Sequence, residues 1–460
     1  MRENRVLFCA MLFVLAALTA AAQPEAVVRA LPSTVRVRPG DAVEGLPDAA
    51  IAAAKNEVES FQVAVTARNG MLEDVRVEAG PLTYGDYTIP PSSVRLYREE
   101  CVPLRRVGSR AVEGPGLVPD PLVPLADPYS GDALGKVRWN GDEGKLLPGR
   151  FGGSPFDVWP GQNQVIWVDV AVPKDAPAGQ YAGVVRVAPK DTAAVELPVT
   201  LTVWDFALPD GPTHENHFGG VDRIHTYLGL ARDSEEFHRI EERYEALLAE
   251  HRINPAFPRR LWPAIQEDGT ADFSGVDAGI SAFVERFHVT NLEIPRAPFG
   301  DVLGADREKA KNFMRSWYAY LDSKGWAGRS YHYMLDEPNT PEQYETVRKL
   351  GALVSEAEPR IRRLVVEQPY TQDPAWGALD DAIDIWCPLF GFIHEPSVAA
   401  KQAQGDAVWS YTALVQRAPA YHPGYEQVKD DHPPYWQIHF PLVSYRIAPW
   451  LNRRYGITGL

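Results

Sequence analysis

A change in hydrophobic period near residue 208 constrains the fold of this chain more than any other feature. The run Leu208-Pro209-Asp210-Gly211-Pro212 concentrates residues that break helices and strands, as a linker does. Upstream, from about residue 27 to 205, the chain has short alternating apolar runs. Downstream, short apolar runs alternate with stretches of helical period. We therefore predict two domains of different class, at 23–207 and 214–460, joined by a linker at 208–213.

The first part has the pattern of an all-β sandwich. Its apolar runs are separated by clusters of Pro, Gly and Asp, a spacing that favours an antiparallel β-sandwich; the runs lie at 34–37, 61–67, 164–172, 182–187 and 197–203. The stretch from about 108 to 160 is rich in Gly, Pro and Asp and shows little periodicity. We interpret it as a long insertion that carries loops over one face.

The second part has the pattern of an α/β barrel. Eight strands are predicted, at 214–219, 255–258, 291–295, 330–335, 363–368, 383–389, 408–414 and 456–460. Helices are predicted between them, at 234–250, 276–287, 305–324 and 341–356. Eight strands alternating with helices over about 250 residues indicate a (β/α)8 TIM barrel.

The sequence stops inside the eighth predicted strand. We therefore expect a barrel truncated at its C-terminus, with the last strand and helix incomplete. Backbone groups of the first and seventh strands, near 214–219 and 408–414, would then be left partly unpaired.

The first 22 residues predict export. Arg2 and Arg5 precede an apolar run that ends in Ala20-Ala21-Ala22, the pattern of a signal peptide, and no other segment is apolar for long enough to span a membrane. We expect a secreted or periplasmic protein. The formal charge of −15, without a basic stripe, makes nucleic acid and anionic membranes poor partners. The oligomeric state stays open.

Asp336-Glu337 is the most informative candidate site. The pair follows the predicted strand at 330–335, and Pro338 closes that strand. The carboxyl ends of barrel strands carry the catalytic groups, so adjacent acids there suggest acid/base chemistry. Helix capping is the alternative, because acids favour a helix start and Asn339 or Thr340 can cap a helix at 341–356. Neighbouring strand residues point to opposite faces, so both acids reach one pocket only if the backbone kinks or bulges at Asp336.

Further candidates lie near the ends of other predicted strands. Glu367 and Gln368 end the predicted strand at 363–368 and precede Pro369, and they would form hydrogen bonds to a polar substrate or cap the loop. Aromatic side chains would form a stacking platform or pack in the core; these are Trp386, Trp409, Tyr411 and Trp436. Tyr333 is a further substrate-binding candidate, although its strand parity relative to Asp336 directs it elsewhere. The histidines show no ligand spacing and no nucleotide motif is present, so we predict neither a metal nor a cofactor.

Several motifs together resemble glycoside hydrolase family 123 and its wider relatives. They are AKNEVESFQ at 54–62, WVDV at 167–170, PKDAPAGQY at 173–181 with Gly183, WDFALP at 204–209 and YMLDEP at 333–338. The resemblance implies an N-terminal β-sandwich, a TIM barrel and a β-N-acetylgalactosaminidase-like activity on a glycan substrate. It makes Glu337 the general acid/base and Asp336 the residue that orients the 2-acetamido group in substrate-assisted, retaining catalysis. Two alternatives remain: a glycosidase for another sugar, and a non-catalytic glycan-binding surface protein.

Overall fold

The computed structural model describes residues 23–107, 112–126, 153–221, 223–413 and 436–460, together with the backbone of 138–140 and 145–147. The predicted signal peptide at 1–22 lies outside the described residues. The chain separates into two compact units, Met1–Arg105 with Pro115–Phe206, and Arg106–Gly114 with Ala207–Leu460. Within the described part of the chain, every helix is too short or too polar to cross a bilayer.

The first unit is built from two main sheets. One is antiparallel with the strand order β1-β3-β12-β7-β8, formed by β1 (Glu25–Pro32), β3 (Val58–Arg68), β12 (Asn163–Ala171), β7 (Val94–Leu104) and β8 (Gly116–Pro124). The other has the order β11-β4-β13-β14-β2, formed by β11 (Phe156–Val158), β4 (Leu72–Ala79), β13 (Gly179–Ala188), β14 (Val195–Ala207) and β2 (Ala49–Lys55). The short strands β5 (Leu82–Tyr84) and β6 (Tyr87–Ile89) extend the second sheet beside β13.

Alternating side chains of the two sheets share one core. Val63 and Val65 of β3 and Val75 of β4 are fully buried in the same cluster as Val187 and Leu201. Along β14, buried residues alternate with more exposed ones, which is the period that the sequence shows upstream of residue 208.

The segment at 108–160 contains strands as well as loops, which corrects the prediction of loops alone. β8 pairs along much of β7, from Leu104↔Gly116 to Tyr97↔Pro124. β11 pairs with β4, and β9 (Arg138–Asn140) pairs with β10 (Lys145–Leu147). β8 holds the edge of its sheet, where missing proline N–H groups are tolerated, and its prolines hide the strand pattern in the sequence.

The second unit combines a parallel sheet with helices. The sheet has the order β17-β18-β19-β20-β21, formed by β17 (Leu292–Glu293), β18 (Ser330–Asp336), β19 (Arg363–Val366), β20 (Ile385–Trp386) and β21 (Ala407–Val408). The helices are α1 (Ile224–Leu228), α2 (Glu235–Glu250), α3 (Asp277–Arg286), α4 (Arg307–Ser323), α5 (Pro341–Ala357), α6 (Glu395–Gln404) and α7 (Val443–Arg454). A two-stranded hairpin of β15 (Ala264–Ile265) and β16 (Ala271–Asp272) precedes α3.

Two clusters of apolar side chains lie on opposite sides of this parallel sheet. The outer cluster joins helices to strands and includes Phe313 and Trp317 of α4 and Val347 of α5. The inner cluster contains the buried side chains Tyr331, Leu364, Ile385, Cys387 and Trp409, with Tyr333, Val366, Ala407 and Tyr411 packed against them. The inner cluster supports the candidate site described below.

The C-terminal residues pair with both the first and the seventh predicted strands. Gly459 forms parallel bridges with Glu215 and with Trp409. The backbone bonds include Glu215 N–H to Thr458 O at 3.0 Å, Thr458 N–H to Val408 O at 2.8 Å and His217 N–H to Leu460 O at 2.9 Å. The expectation of unpaired groups is therefore wrong for these residues, because the short stretch before Leu460 already reaches both neighbours.

Asparagine side chains link the first three predicted strands of this unit. Residues 255–258, predicted as a strand, form none in the described chain. Asparagine side chains supply some of the hydrogen bonds that strand pairing would have provided. Asn216 N–H donates to Asn291 Oδ1 at 3.1 Å, and Asn254 N–H donates to Asn216 Oδ1 at 2.7 Å. Thr290 N–H donates to Asn254 Oδ1 at 2.8 Å. The three buried asparagines thus satisfy backbone groups that would otherwise lack partners.

Candidate active site

A bulge in β18 sets the direction of Asp336. Tyr333 pairs with Leu364, but the next paired residue is Leu335, opposite Val365, so one extra residue enters β18. Met334 and Leu335 both belong to the outer cluster, whereas Tyr333 packs against the inner one. Asp336 then pairs with Val366, which also packs against the inner cluster. The bulge therefore brings Asp336 to the same face as Tyr333.

Tyr333 contacts Asp336 directly, which corrects the parity argument made from the sequence. Its O–H donates to Asp336 Oδ1 at 2.8 Å. Strict alternation would place these residues on opposite faces, and the bulge between them removes that conflict. Burial, followed by this hydrogen bond, raises the pKa of the Tyr333 phenol, so it stays a donor at neutral pH.

The backbone turns sharply at Glu337. Its φ of 41° lies in the left-handed region, which costs a non-glycine residue about 1–3 kcal/mol and is found disproportionately at functional sites. Asn339 Nδ2 donates to the Glu337 carbonyl oxygen at 2.5 Å and holds this turn. The kink needed to direct both acids to one face is therefore present, at Glu337 together with the bulge before Asp336.

Glu337 has its own tyrosine donor. The Tyr411 O–H donates a hydrogen bond to Glu337 Oε1. Tyr411 lies just beyond β21 in a parallel bridge with Leu389. Burial, and then the bond to Glu337, raise the pKa of Tyr411. Each member of the acidic pair thus accepts a hydrogen bond from one tyrosine of the same face.

Capping of the following helix occurs as well. The Thr340 side chain accepts from Gln343 N–H at 3.3 Å, and Pro341 stands at the first helical position of α5. The capping group is Thr340 rather than either acid, so Asp336 and Glu337 remain available on the inner face.

A cavity of about 360 Å³ opens beside Glu337. Polar groups line one part of it, including Glu337, Glu367, Gln368 and Tyr411. Its apolar walls include Val366, Leu389 and Phe392. A concave site with an apolar wall and a few convergent polar groups is typical of small-molecule binding.

Glu367 is a buried carboxyl in the wall of this cavity. It is 3% exposed, and Tyr344 O–H donates to its Oε1 at 3.1 Å. Gln372 Nε2 lies 3.2 Å from Oε1 and 3.1 Å from Oε2. Burial raises the pKa of Glu367 to about 8, and the nearby Glu337 acts in the same direction. Glu367 is therefore largely protonated at neutral pH.

The three candidate tryptophans have protein partners instead of lining this cavity. Trp386 is 2% exposed, belongs to the outer cluster and donates to Asp406 Oδ2 at 2.9 Å. Trp409 is equally buried, donates to Glu215 Oε2 at 3.2 Å and packs against Tyr331. Their burial corrects the expectation that these two indoles stack on a sugar.

Trp436 stacks between two aromatic rings of the protein. Its ring centroid lies 6.1 Å from that of Phe218 and 6.2 Å from that of Tyr445. Its indole N–H donates to Ser444 O at 3.1 Å. Of the candidates named from the sequence, Glu337, Glu367, Gln368 and Tyr411 line the cavity. Asp336 precedes Glu337 in the chain and accepts a hydrogen bond from Tyr333, but neither Asp336 nor Tyr333 belongs to the lining.

Sequence reasoning missed the side chains that hold this arrangement in place. Gln372 also donates to Pro338 O at 2.9 Å, so it ties the turn after Glu337 to Glu367. The sequence does place it shortly after the predicted strand at 363–368, in a segment on the same face. His217 and Glu293, which face a second, smaller cavity, were missed too. Within the described residues, no group of three or more His, Cys, Asp or Glu suits a metal ion.

Comparison with solved structures supports the fold. A family 123 glycoside hydrolase from Clostridium perfringens, described for glycolipid glycan hydrolysis, superposes with a TM-score of 0.61 at 12% identity, covering 94% of this chain and 77% of that one. A Bacteroides ovatus GH5 xyloglucanase (8% identity, covering 78% and 81%) and Bacteroides uniformis beta-glucuronidase 2 (9%, covering 88% and 44%) have TM-scores of only 0.23 and 0.29.

Sequence comparisons add nothing to this structural likeness. No protein family profile matches the chain. No curated protein matches it either. The resemblance to family 123 is therefore confirmed in the fold, and the activity belongs to the proposal that follows.

Proposed function

We propose that this protein is a secreted, retaining glycoside hydrolase that cleaves terminal β-linked 2-acetamido sugars by substrate-assisted catalysis. One observation carries the proposal: the bulge in β18 and the left-handed turn at Glu337 direct two adjacent carboxyls to one inner face, beside a cavity. The proposal includes a β-sandwich for the first unit and a (β/α)8 barrel for the second. The shared core of the two sheets and the bridges of Gly459 support these assignments.

The proposed roles follow from the positions of the two acids. Glu337 lies in the cavity wall, where it would protonate the leaving oxygen and later activate water. Its Oε1 accepts from Tyr411, which leaves Oε2 to carry the proton. Asp336 accepts from Tyr333 and would also accept the acetamido N–H, offsetting positive charge on the bicyclic intermediate.

Adjacency favours the substrate's own acetamido oxygen as the nucleophile. Enzymes with two catalytic carboxylates place them on either side of the scissile bond, about 5–5.5 Å apart when they retain configuration and about 6.5–9.5 Å apart when they invert it. Consecutive residues turned to one face approach the sugar from the same side, so Asp336 is not a carboxylate that opposes Glu337 across the bond. Attack by the substrate's own acetamido oxygen removes the need for an opposing carboxylate.

The buried Glu367 adds a second, largely protonated carboxyl to the wall of the cavity. A largely neutral Glu367 beside Glu337 adds no second negative charge to the cavity at neutral pH. It would also present a polar group to a sugar hydroxyl. The galacto configuration is preferred on the family 123 resemblance, and the proposed export depends on the pattern of residues 1–22.

A panel of 4-nitrophenyl β-glycosides tests the proposal. We expect turnover of the N-acetyl-β-galactosaminide, inhibition by a thiazoline analogue of the bicyclic intermediate, and the β-anomer as the first product by NMR. Glu342→Gln, which alters an exposed acid on α5, should behave as the wild type. Cleavage confined to sugars without an acetamido group would rule out the mechanism. Glycan binding without turnover of any glycan would favour a non-catalytic binding protein.

A further inference from the structure

A second, smaller cavity lies on the same face of the second unit. It measures about 20 Å³, and its lining includes His217, Glu293 and Tyr331. A cavity of this size holds about one water molecule or one hydroxyl group. Glu293 is the last residue of β17 and pairs with Tyr331 of β18, so its carboxyl stands at the strand end beside the strand that carries Asp336.

The Glu293 carboxyl has little polar contact within the protein. Among the described residues, the basic side chain closest to this carboxyl is His217, whose Nδ1 lies 3.7 Å from Oε2 and so beyond hydrogen-bond distance. His217 Nδ1 instead lies 2.6 Å from the Tyr331 hydroxyl. Burial lowers the pKa of His217, which keeps the imidazole neutral. Burial also raises the pKa of Glu293 to about 7, and Arg296 acts against that rise.

This cluster is continuous with the Asp336 side of the site. The His217 ring contacts Tyr333 edge-on, with a centroid separation of 6.1 Å, and Tyr333 donates to Asp336. The Arg296 guanidinium lies over the same Tyr333 ring at 5.1 Å, and its Nε donates to Tyr333 O at 3.1 Å. His217, which lines the small cavity, is therefore linked to Asp336 through Tyr333, while Glu337 lines the large cavity.

We propose that Glu293 accepts a hydrogen bond from one hydroxyl group of the sugar held against Asp336, and so selects which glycoside reacts. This inference rests on the proposed function and adds a specificity-determining residue to it. A partly buried carboxyl without a hydrogen-bond donor among the described residues has lone pairs open to a ligand, and the cavity beside it has room for a single hydroxyl. The hydroxyl of the parent sugar then donates a hydrogen bond to the Glu293 carboxyl. A sugar that lacks this hydroxyl leaves the carboxyl without a donor.

The test combines removal of the carboxyl with removal of single sugar hydroxyls. The substrates are the aryl glycoside that the wild type hydrolyses best and its 3-, 4- and 6-deoxy forms. We expect one deoxy form to lose about 10- to 100-fold in kcat/KM with the wild type, as for a hydrogen bond to a charged group. Glu293→Ala should lose a similar factor on the parent and nothing more on that deoxy form, while the other deoxy forms keep their wild-type ratios.

Two further variants make the result specific. Glu285→Ala removes an exposed glutamate from α3 and should leave every ratio unchanged. Glu293→Leu removes the hydrogen-bonding oxygens but keeps much of the size of the side chain, and it replaces Glu293→Ala if thermal unfolding shows that the alanine variant does not fold.

The possible results distinguish a failure of this inference from a failure of the proposed function. If each deoxy substrate loses the same factor in kcat/KM with the Glu293 variants as with the wild type, the inference is wrong and the proposed function stands. The same holds if the wild type hydrolyses all three deoxy substrates as well as the parent. A wild-type chain that hydrolyses no glycoside would overturn the proposed function and this inference with it.

Discussion

Glu367→Gln should change how the stability of this protein depends on pH. The pKa of Glu367 rises from an ordinary 4.5 to about 8 in the folded chain, so the folded state binds a proton that the unfolded state has released. The wild type therefore loses stability as the pH rises through that window. A rise from 4.5 to about 8, at about 1.4 kcal/mol per pH unit, corresponds to roughly 5 kcal/mol. With 3% exposure, solvent screening hardly reduces this figure.

Glutamine removes the titration but keeps the size of the side chain and the hydrogen bonds that Oε1 accepts. Its carbonyl oxygen can accept from Tyr344 and Gln372, as the carboxyl does now. We expect the variant and the wild type to unfold with similar free energies near pH 4.5. Their difference should then grow in favour of the variant, by about 1 kcal/mol for each pH unit up to about 8.

Urea unfolding at half-unit steps from pH 4.5 to 8.5 measures this difference. Because the chain has two units, the transition of the second unit is followed separately and each unit is fitted by itself. Glu342→Gln serves as the matched control, since it removes an exposed carboxyl from the neighbouring helix. Burial also raises the pKa values of Glu293 and Glu99 to about 7. Both residues change the free energy of unfolding in the same direction, but equally in the variant and the wild type, so their contributions cancel in the difference.

A flat difference between Glu367→Gln and wild type across this range would refute the reasoning. So would a difference of the opposite sign, which would mean that the folded chain holds Glu367 as a stabilised carboxylate.

Two further predictions concern the acidic pair. Glu337→Gln should lose about 10²- to 10⁴-fold in kcat on glycosides with poor leaving groups and much less on activated aryl glycosides, because only the former need protonation; equal losses on both would contradict an acid role. Asp336→Asn should slow every substrate by about 10²- to 10³-fold in kcat without rescue by azide. An inverted glycosyl azide product would show that Asp336 is itself the nucleophile.

Much of the fold follows from local pattern. The four helices predicted between residues 234 and 356 correspond to α2–α5, with ends that differ by one or two residues, because apolar spacing and caps such as Ser234 and Thr340 are local signals. The predicted strands at 330–335 and 363–368 correspond to β18 and β19. β8 was missed because proline suppresses a strand pattern that an edge position tolerates.

The candidate site was predictable in position but not in geometry. The sequence placed Asp336 and Glu337 at a strand end, and it showed that a kink was needed to turn both to one face. It did not reveal the bulge after Tyr333, since a bulge results from pairing with β19, a strand distant in sequence. For the same reason, strict alternation along the strand predicted that Tyr333 points away from Asp336, although the Tyr333 hydroxyl donates to Asp336 Oδ1.

What the sequence determined by itself was therefore local: the linker at 208–213, the change of period across it, and the acids beside Pro338. The tertiary structure decided which of these residues meet. It buried Trp386 and Trp409, joined Glu367 to Gln372, and gathered His217 and Glu293 around one small cavity. The physical reason is that periodicity records which side of an element faces the core, whereas burial, bulges and pKa depend on neighbours from distant parts of the chain.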